Sequence, residues 1–211
     1  IESWLEAVED DGRVHGRVTT NGAVTGRMTH SSPNMAQVPA VRKDKEGTIL
    51  LGGEGGYGVE CRECWSVDEG NVLVGADASG LELRMLAHYM KDESYVATVV
   101  NGSSKDGTDV HSVNQRAAAG LSTREDAKTF IYAFLYGAGN AKLGSIVGGS
   151  AKAGGKLKEA FLQKTPALRK LISSVAAIAA GGSVPGLDGR RIWVRSEHAA
   201  LNSLLQSAGA I

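Results

Sequence analysis

Ser122-Thr123-Arg124-Glu125-Asp126-Ala127-Lys128-Thr129-Phe130-Ile131-Tyr132-Ala133-Phe134-Leu135-Tyr136-Gly137 is the stretch on which the reading of this chain turns. Ser122 followed three residues later by Glu125 fits the capping box S-x-x-E, which satisfies free amides at a helix start. A helix is therefore expected from Ser122 to about Tyr136, with Gly137 and Gly139 ending it. Arg124, Lys128, Tyr132 and Tyr136 recur every four residues and so form one slowly winding stripe. At about 1.5 Å per residue the stripe is roughly 18 Å long. Like charges four apart repel by a few tenths of a kcal/mol, and Glu125, three residues before Lys128, offsets part of that. The two cations sit toward the positive end of the helix, with two aromatic hydroxyls beyond them. A triphosphate suits the first half and a base and sugar the second. Taken alone, the stripe fits equally well a solvated basic edge beside two core tyrosines.

Upstream, Asn71-Val72-Leu73-Val74-Gly75-Ala76-Asp77 reads as a buried strand ending in a carboxylate, followed by a helix from about Gly80 to Met90. Leu81, Met85, Leu86, Tyr89 and Met90 are expected on the inner face of that helix. A carboxylate leaving a buried strand is costly unless it is paired or binds a cation. Hard cations such as Mg²⁺ prefer carboxylate oxygens, and phosphoryl transfer needs positive charge around the phosphates. On its own, Asp77 reads more simply as the cap of the next helix.

The rest of the chain sets bounds. Its 211 residues can bury one large core or two lobes. Apolar residues make up 42% and charged residues 22%, the ordinary globular range. No apolar run approaches the roughly 18 residues that span a bilayer, and no charged-then-apolar leader opens the chain. A soluble, cytoplasmic protein without a membrane partner is the expectation. Opening on Ile1 and closing on Ala208-Gly209-Ala210-Ile211, the chain reads as an excised piece of a longer one. Lys and Arg number 23, as do Asp and Glu. The neutral total argues mildly against nucleic acid, but basic residues dominate 142–195, and balance can hide a basic cleft. Cys61 and Cys64 form a lone C-x-x-C without a second pair, so two reduced thiols are expected rather than a zinc site.

Ile1, Leu5 and Val8 place the end of an amphipathic helix at 1–10. Residues 12–30 suggest strands joined at Asn21-Gly22. Glycine-rich 43–58 and polar 101–108 read as loops. Glycine-rich 148–155 leads into a helix over roughly 156–179, which Gly181-Gly182 breaks. A hairpin is expected at 184–196, turning at Leu187-Asp188-Gly189-Arg190, and a last helix from near Ser196 onward.

Taken together, these segments resemble a known family. Asp77-Ala78-Ser79-Gly80-Leu81-Glu82-Leu83-Arg84 followed by Arg124-x-x-x-Lys128-x-x-x-Tyr132-x-x-x-Tyr136-Gly137 resembles motifs A and B of family A (Pol I-like) DNA polymerases. The wording is most similar to the replicative polymerases of short-tailed bacteriophages. Three further matches are Thr25-Gly26-Arg27-Met28-Thr29-His30, Pro33-Asn34-Met35-Ala36-Gln37-Val38-Pro39 and Leu187-Asp188-Gly189-Arg190. A fourth is Leu201-Asn202-Ser203-Leu204-Leu205-Gln206-Ser207-Ala208-Gly209-Ala210. The matches are collinear from about Gly12 to Ile211 and weaken at 43–58, 91–108 and 172–184.

The resemblance implies an α+β fragment of the right-hand polymerase fold, an antiparallel palm sheet with a helical fingers lobe. Residues 1–91 would be the end of the thumb and the first part of the palm, 92–180 the fingers, and 181–211 a palm hairpin and helix. It implies template-directed DNA synthesis from dNTPs on a primer–template, with two Mg²⁺ ions. Asp77 and the Ala78 carbonyl would be metal ligands. His111, Arg124 and Lys128 would hold the triphosphate, and Lys128 could protonate the leaving pyrophosphate. Tyr132 would stack near sugar and base. Tyr136, partnered by Glu82, would close the pocket floor, and Glu82 would block the space of a ribose 2′-hydroxyl. Arg27, Asn202 and Gln206 would probe the minor-groove edge of the primer end, where acceptors are nearly the same for every correct pair. Pro33, Asn34 and Gln37 would lie along the same duplex.

Duller readings stand beside these. His111 could be a helix-start polar residue, Arg27 could pair with an acidic neighbour, and Asn202 and Gln206 could face water. The two-metal mechanism needs more than one carboxylate, and the family's second lies in a His-Asp-Glu turn beyond the last helix. Asp109, Asp126 and Asp188 sit in no such turn, so the 211 residues alone are expected to be almost inactive. A processivity factor, if any, would act through a thumb. Two rivals come from other classes. Gly149-Ser150-Ala151-Lys152-Ala153-Gly154-Gly155-Lys156-Leu157 approaches a P-loop, but is one residue too long and lacks the Ser or Thr after its lysine. A non-catalytic nucleic-acid-binding module would explain the basic C-terminal half but not Asp77, Glu82 and the stripe.

Overall fold

The computed structural model describes residues 2–118 and 120–211. The chain forms two compact units, one built from residues up to Ala23 and Met28–Ala78, the other from Val24–Arg27 and Ser79–Ile211.

The first unit is poor in regular structure. It holds α1 (Glu2–Leu5), the antiparallel strands β1 (Arg17–Thr19) and β2 (Thr29–Ser31), a 3-10 turn at Met35–Gln37 and α2 (Gly58–Glu63). Helix α1 is shorter than its apolar spacing suggests. Leu5 and Val8 are exposed, Val8 bridges to Val14, and Ile1 lies outside the described residues. The β1–β2 register pairs Arg17 with Ser31 and Thr19 with Thr29, so residues 20–28 connect the strands instead of a two-residue turn at Asn21-Gly22. Trp4 and Trp65 pack edge-on with ring centroids 5.1 Å apart.

The largest departure from expectation is at 71–77. No strand forms there, and Val72, Leu73 and Val74 are 81%, 75% and 84% exposed. A β-branched apolar run favours extended backbone, but burial needs a neighbouring strand to pair with and a layer to cover it. Among the described residues no strand pairs with this run. The expected antiparallel sheet structure is present, among the described residues, as two two-stranded ladders.

The second unit is a helical assembly: α3 (Leu81–Met90), α4 (Glu93–Asn101), α5 (Val110–Ala117), α6 (Arg124–Leu135), α7 (Asn140–Ile146), α8 (Ala151–Lys164), α9 (Pro166–Ala179) and α10 (Glu197–Ala208). Strands β3 (Ser183–Pro185) and β4 (Arg191–Trp193) form the expected hairpin before α10. Helix α6 is its spine. Ala127, Phe130, Ile131, Phe134 and Leu135 are buried on one face, so Arg124, Lys128 and Tyr136 are left on the other. Phe161 of α8 meets Phe130 and Phe134 edge-on, at 5.3 and 5.6 Å between centroids. Burying a side chain of this size contributes about 1.5–3 kcal/mol. A second apolar cluster joins Val175 and Ala179 of α9, Val184 and Ile192 of the hairpin, and Ala200 and Leu204 of α10. On α3 the buried residues are Leu83, Leu86, Ala87 and Met90. Met85 and Tyr89 are half-buried, and Leu81 does not belong to the core.

Two boundaries differ from the sequence reading. The cap of α6 is Thr123, whose hydroxyl accepts from the Asp126 amide while the Asp126 carboxylate accepts from the Thr123 amide. The capping box thus sits one residue later than Ser122 with Glu125, and aspartate does the work expected of glutamate. The expected 156–179 helix is two helices, broken at Thr165-Pro166, because proline has no amide to continue the ladder and fits the first helical position. Helix α8 also begins earlier, inside the glycine-rich run. A Cβ on Gly154 would stand 2.0 Å from the Asn140 carbonyl oxygen, and one on Gly144 2.1 Å from that of Ser150. These glycines let the backbones of α7 and α8 touch; they do not loosen a loop.

Candidate functional site

The cationic end of α6 and the start of α5 form one constellation. Asp109 caps α5, its Oδ1 accepting from the His111 amide at 3.1 Å and its Oδ2 from the Ser112 hydroxyl at 2.6 Å. The same carboxylate accepts from Arg124 Nε at 3.1 Å and Arg124 Nη2 at 2.9 Å. Arg124 Nη1 reaches the exposed Glu125 carboxylate at 3.1 Å. His111 is half-buried with its ring centroid 6.2 Å from that of Tyr132. Burial first, then the positive charges of Arg124 and Lys128, hold its imidazole below the ordinary 6.5, against the pull of Asp109 and Glu125. Burial acts to raise the Asp109 pKa, but hydrogen bonds from Arg124, Ser112 and the His111 amide, with the Arg124 charge, bring it down to about 2. Asp109 is therefore a carboxylate at any working pH.

The structure thus brings together His111, Arg124, Lys128 and Tyr132, the four residues expected at triphosphate, sugar and base. Lys128 is exposed and Tyr132 half-buried. At the other end of α6, Tyr136 is exposed and Gly137 takes a left-handed φ of 74°. A Cβ on Gly137 would come within 2.8 Å of the His198 carbonyl oxygen, so glycine lets α6 end tightly against the start of α10.

A second group lies at the far end of α10. Arg27 Nη2 donates to Glu82 Oε1 at 3.1 Å, and a Cβ on Gly209 would stand 3.6 Å from that nitrogen. The partner of Glu82 is thus Arg27, where Tyr136 was expected, and the acidic neighbour weighed for Arg27 is a real one. Asn202 and Gln206 lie four apart on α10, both half-buried. In the first unit Asn34 caps its 3-10 turn through the Ala36 amide at 3.0 Å, Gln37 is exposed and Pro33 is buried.

Asp77 and Ala78 end the first unit, exposed and in no regular element. Their oxygens are donors of the kind a hard divalent cation takes. They do not match it in number, because among the described residues no three His, Cys, Asp or Glu side chains converge as metal ligands. The P-loop candidate is helical from Ala151 onward and packs Gly154 against α7, which leaves no glycine-rich cradle for phosphate. No helix among the described residues is long and apolar enough to cross a membrane. Sequence reasoning missed Asp109 as the partner of Arg124. Its signal was the Asp-x-His spacing before an amphipathic stretch, an N-cap pattern.

The fold is that of a polymerase domain. The POL domain of Pol1 from M. smegmatis, described in complex with DNA primer-template and dNTP, superimposes with a TM-score of 0.74 at 23% identity. The match covers 99% of this chain and 37% of that one. The chain belongs to DNA polymerase family A, whose profile matches residues 1–210. It is 44% identical over its whole length to the DNA-directed DNA polymerases of Enterobacteria phage T3 and Escherichia phage T7, and spans 31% of each. Against DNA polymerase I of Caldicellulosiruptor bescii the identity is 25%, over 99% of this chain and 25% of that protein.

Proposed function

We propose that the protein carrying this sequence is a DNA-directed DNA polymerase that adds deoxynucleotides to a primer 3′-hydroxyl. The observation that carries the proposal is the convergence of His111, Arg124 and Lys128 beside Tyr132 on α5 and α6. Cations and a helix N-terminus on one face hold a triphosphate, and the half-buried tyrosine offers a surface for sugar and base. The primer hydroxyl gives up its proton to solvent water and attacks the α-phosphorus. A new P–O bond forms there, the bond to the bridging oxygen breaks, and pyrophosphate leaves. Arg124 and His111 would steady the charge on the departing phosphates, and Lys128 would hand a proton to the pyrophosphate. Two Mg²⁺ ions, when bound, would supply further positive charge at the reacting oxygens, with the Asp77 carboxylate and the Ala78 carbonyl among their ligands.

Glu82 would exclude a ribose 2′-hydroxyl. Arg27, Asn202 and Gln206 would read pairing geometry in the minor groove, with Pro33, Asn34 and Gln37 along the duplex. With phage-encoded relatives, the infected bacterial cell would be the setting and a processivity factor a further partner. Primer extension by the natural protein with Mg²⁺ and dNTPs tests the reading. Asp77→Asn is expected to lower kcat by about 100-fold or more and Lys128→Ala by roughly 10²–10⁴-fold, each with an unchanged melting temperature. Extension that survives both substitutions would refute it.

A further inference from the structure

We propose that Asp109 is the positioning residue of the nucleotide site, fixing the Arg124 guanidinium and the His111 end of α5 in one geometry. The inference rests on the polymerase reading above and adds a residue to it. A guanidinium has five N–H donors in a rigid fork. Asp109 takes the Nε donor and one Nη2 donor, at 3.1 and 2.9 Å. That leaves the two Nη1 donors and the second Nη2 donor on the opposite edge. Among the described residues the side chain met there is Glu125, which is 72% exposed and readily displaced by a more highly charged anion. The edge left open is thus the one a phosphate would use in bidentate fashion.

The carboxylate is itself held. Its side chain is 11% exposed, and the Ser112 hydroxyl and the His111 amide complete its shell. Because the His111 amide bond fixes the start of α5, the same group sets where the imidazole lies relative to Arg124. A cation in the first turn of a helix is disfavoured by the helix dipole, so Arg124 needs a local anion to stay there when no nucleotide is bound. Asp109 supplies it from a neighbouring helix without occupying the outward edge. Rigid, pre-set donors lower the ordering cost of binding.

The test uses single-nucleotide extension by the natural protein, reading KM for dNTP against kcat, with thermal melting alongside. Asp109→Asn keeps the shape and an oxygen for the His111 amide and removes the charge. It is expected to raise KM about tenfold with kcat within about twofold. In an Arg124→Ala background it should add nothing, since the effect runs through the guanidinium. Ser112→Ala, which loosens the carboxylate without removing it, should raise KM less and in the same direction, and it stands in if Asp109→Asn unfolds. An unchanged KM in the folded variants, or equal losses with and without Arg124, overturns the assignment. No extension by the unmodified protein would instead sink the polymerase reading and this inference with it.

Discussion

Arg27 and Glu82 meet across 55 residues of sequence, Nη2 to Oε1 at 3.1 Å, beside the end of α10. Under the proposed function each has a separate task, Arg27 on the primer duplex and Glu82 on the sugar. The contact therefore joins pairing geometry to sugar choice, and the arginine has to exchange this carboxylate for base acceptors when DNA arrives. The ion pair itself is worth little, about 0–1 kcal/mol for a partly solvated pair.

Glu82→Ala is accordingly expected to leave the melting temperature nearly unchanged while lowering discrimination against ribonucleotides by roughly 10- to 200-fold, the range for one added group in a pocket. The ratio of kcat/KM for dNTP and rNTP measures it. An unaltered ratio removes Glu82 from sugar selection.

His111 gives a pH dependence of known sign. Its folded pKa lies below the ordinary 6.5, chiefly through burial and then the charges of Arg124 and Lys128. Between the two values the native state holds fewer protons than the unfolded chain. Its contribution to stability is complete above 6.5 and is lost as pH falls through the folded value. A triphosphate reverses the bias by favouring the imidazolium, so binding takes up a proton. Nucleotide affinity should strengthen from about pH 8 to about pH 6, and His111→Asn should flatten that trend. Dissociation constants measured across this range decide the matter.

The elements with local signals were legible in the sequence. Helix α6, the β3–β4 hairpin and α10 follow from capping residues, turn glycines and apolar spacing, and all formed where expected to within three residues. The misreadings at 71–77 and 148–155 share a cause, since each depended on a neighbour that the local sequence does not name, whereas the break at Thr165-Pro166 was carried by the proline itself. Val72-Leu73-Val74 has the composition of a core strand but, among the described residues, no strand beside it. Gly154 looks like loop until the Asn140 carbonyl is found against it. The residues of the proposed nucleotide site on α6 were legible as a stripe because one helix carries them. Asp109 was not, because its partner lies 15 residues on, and the reason for its place is a contact between helices.

Asp109 should also mark the acid limb of stability. Its folded pKa of about 2 lies below the ordinary 3.8, so its contribution is present above 3.8 and is lost as pH falls through about 2. Acid unfolding followed by circular dichroism should show the unmodified protein losing more stability across that window than Asp109→Asn. Parallel curves would mean that the Arg124 contact does not hold in solution.

Adjacent glycines of α8 offer a paired test of the α7–α8 contact. A Cβ on Gly154 would lie 2.0 Å from the Asn140 carbonyl oxygen and 2.5 Å from the Gly144 amide nitrogen, both backbone atoms that cannot turn aside. On Gly155 it would meet the Asn140 side-chain amide at 3.3 Å, which can rotate away. Alanine gains about 1 kcal/mol over glycine within a helix, whereas forcing an atom into a packed contact costs about 1–3 kcal/mol. Gly155→Ala should therefore be neutral or stabilising. Gly154→Ala should destabilise, because two helix backbones must separate to admit one methyl group. Denaturant midpoints of the two variants, measured side by side, check the contrast. A Gly154→Ala protein as stable as Gly155→Ala would mean that the two helices do not approach through that glycine.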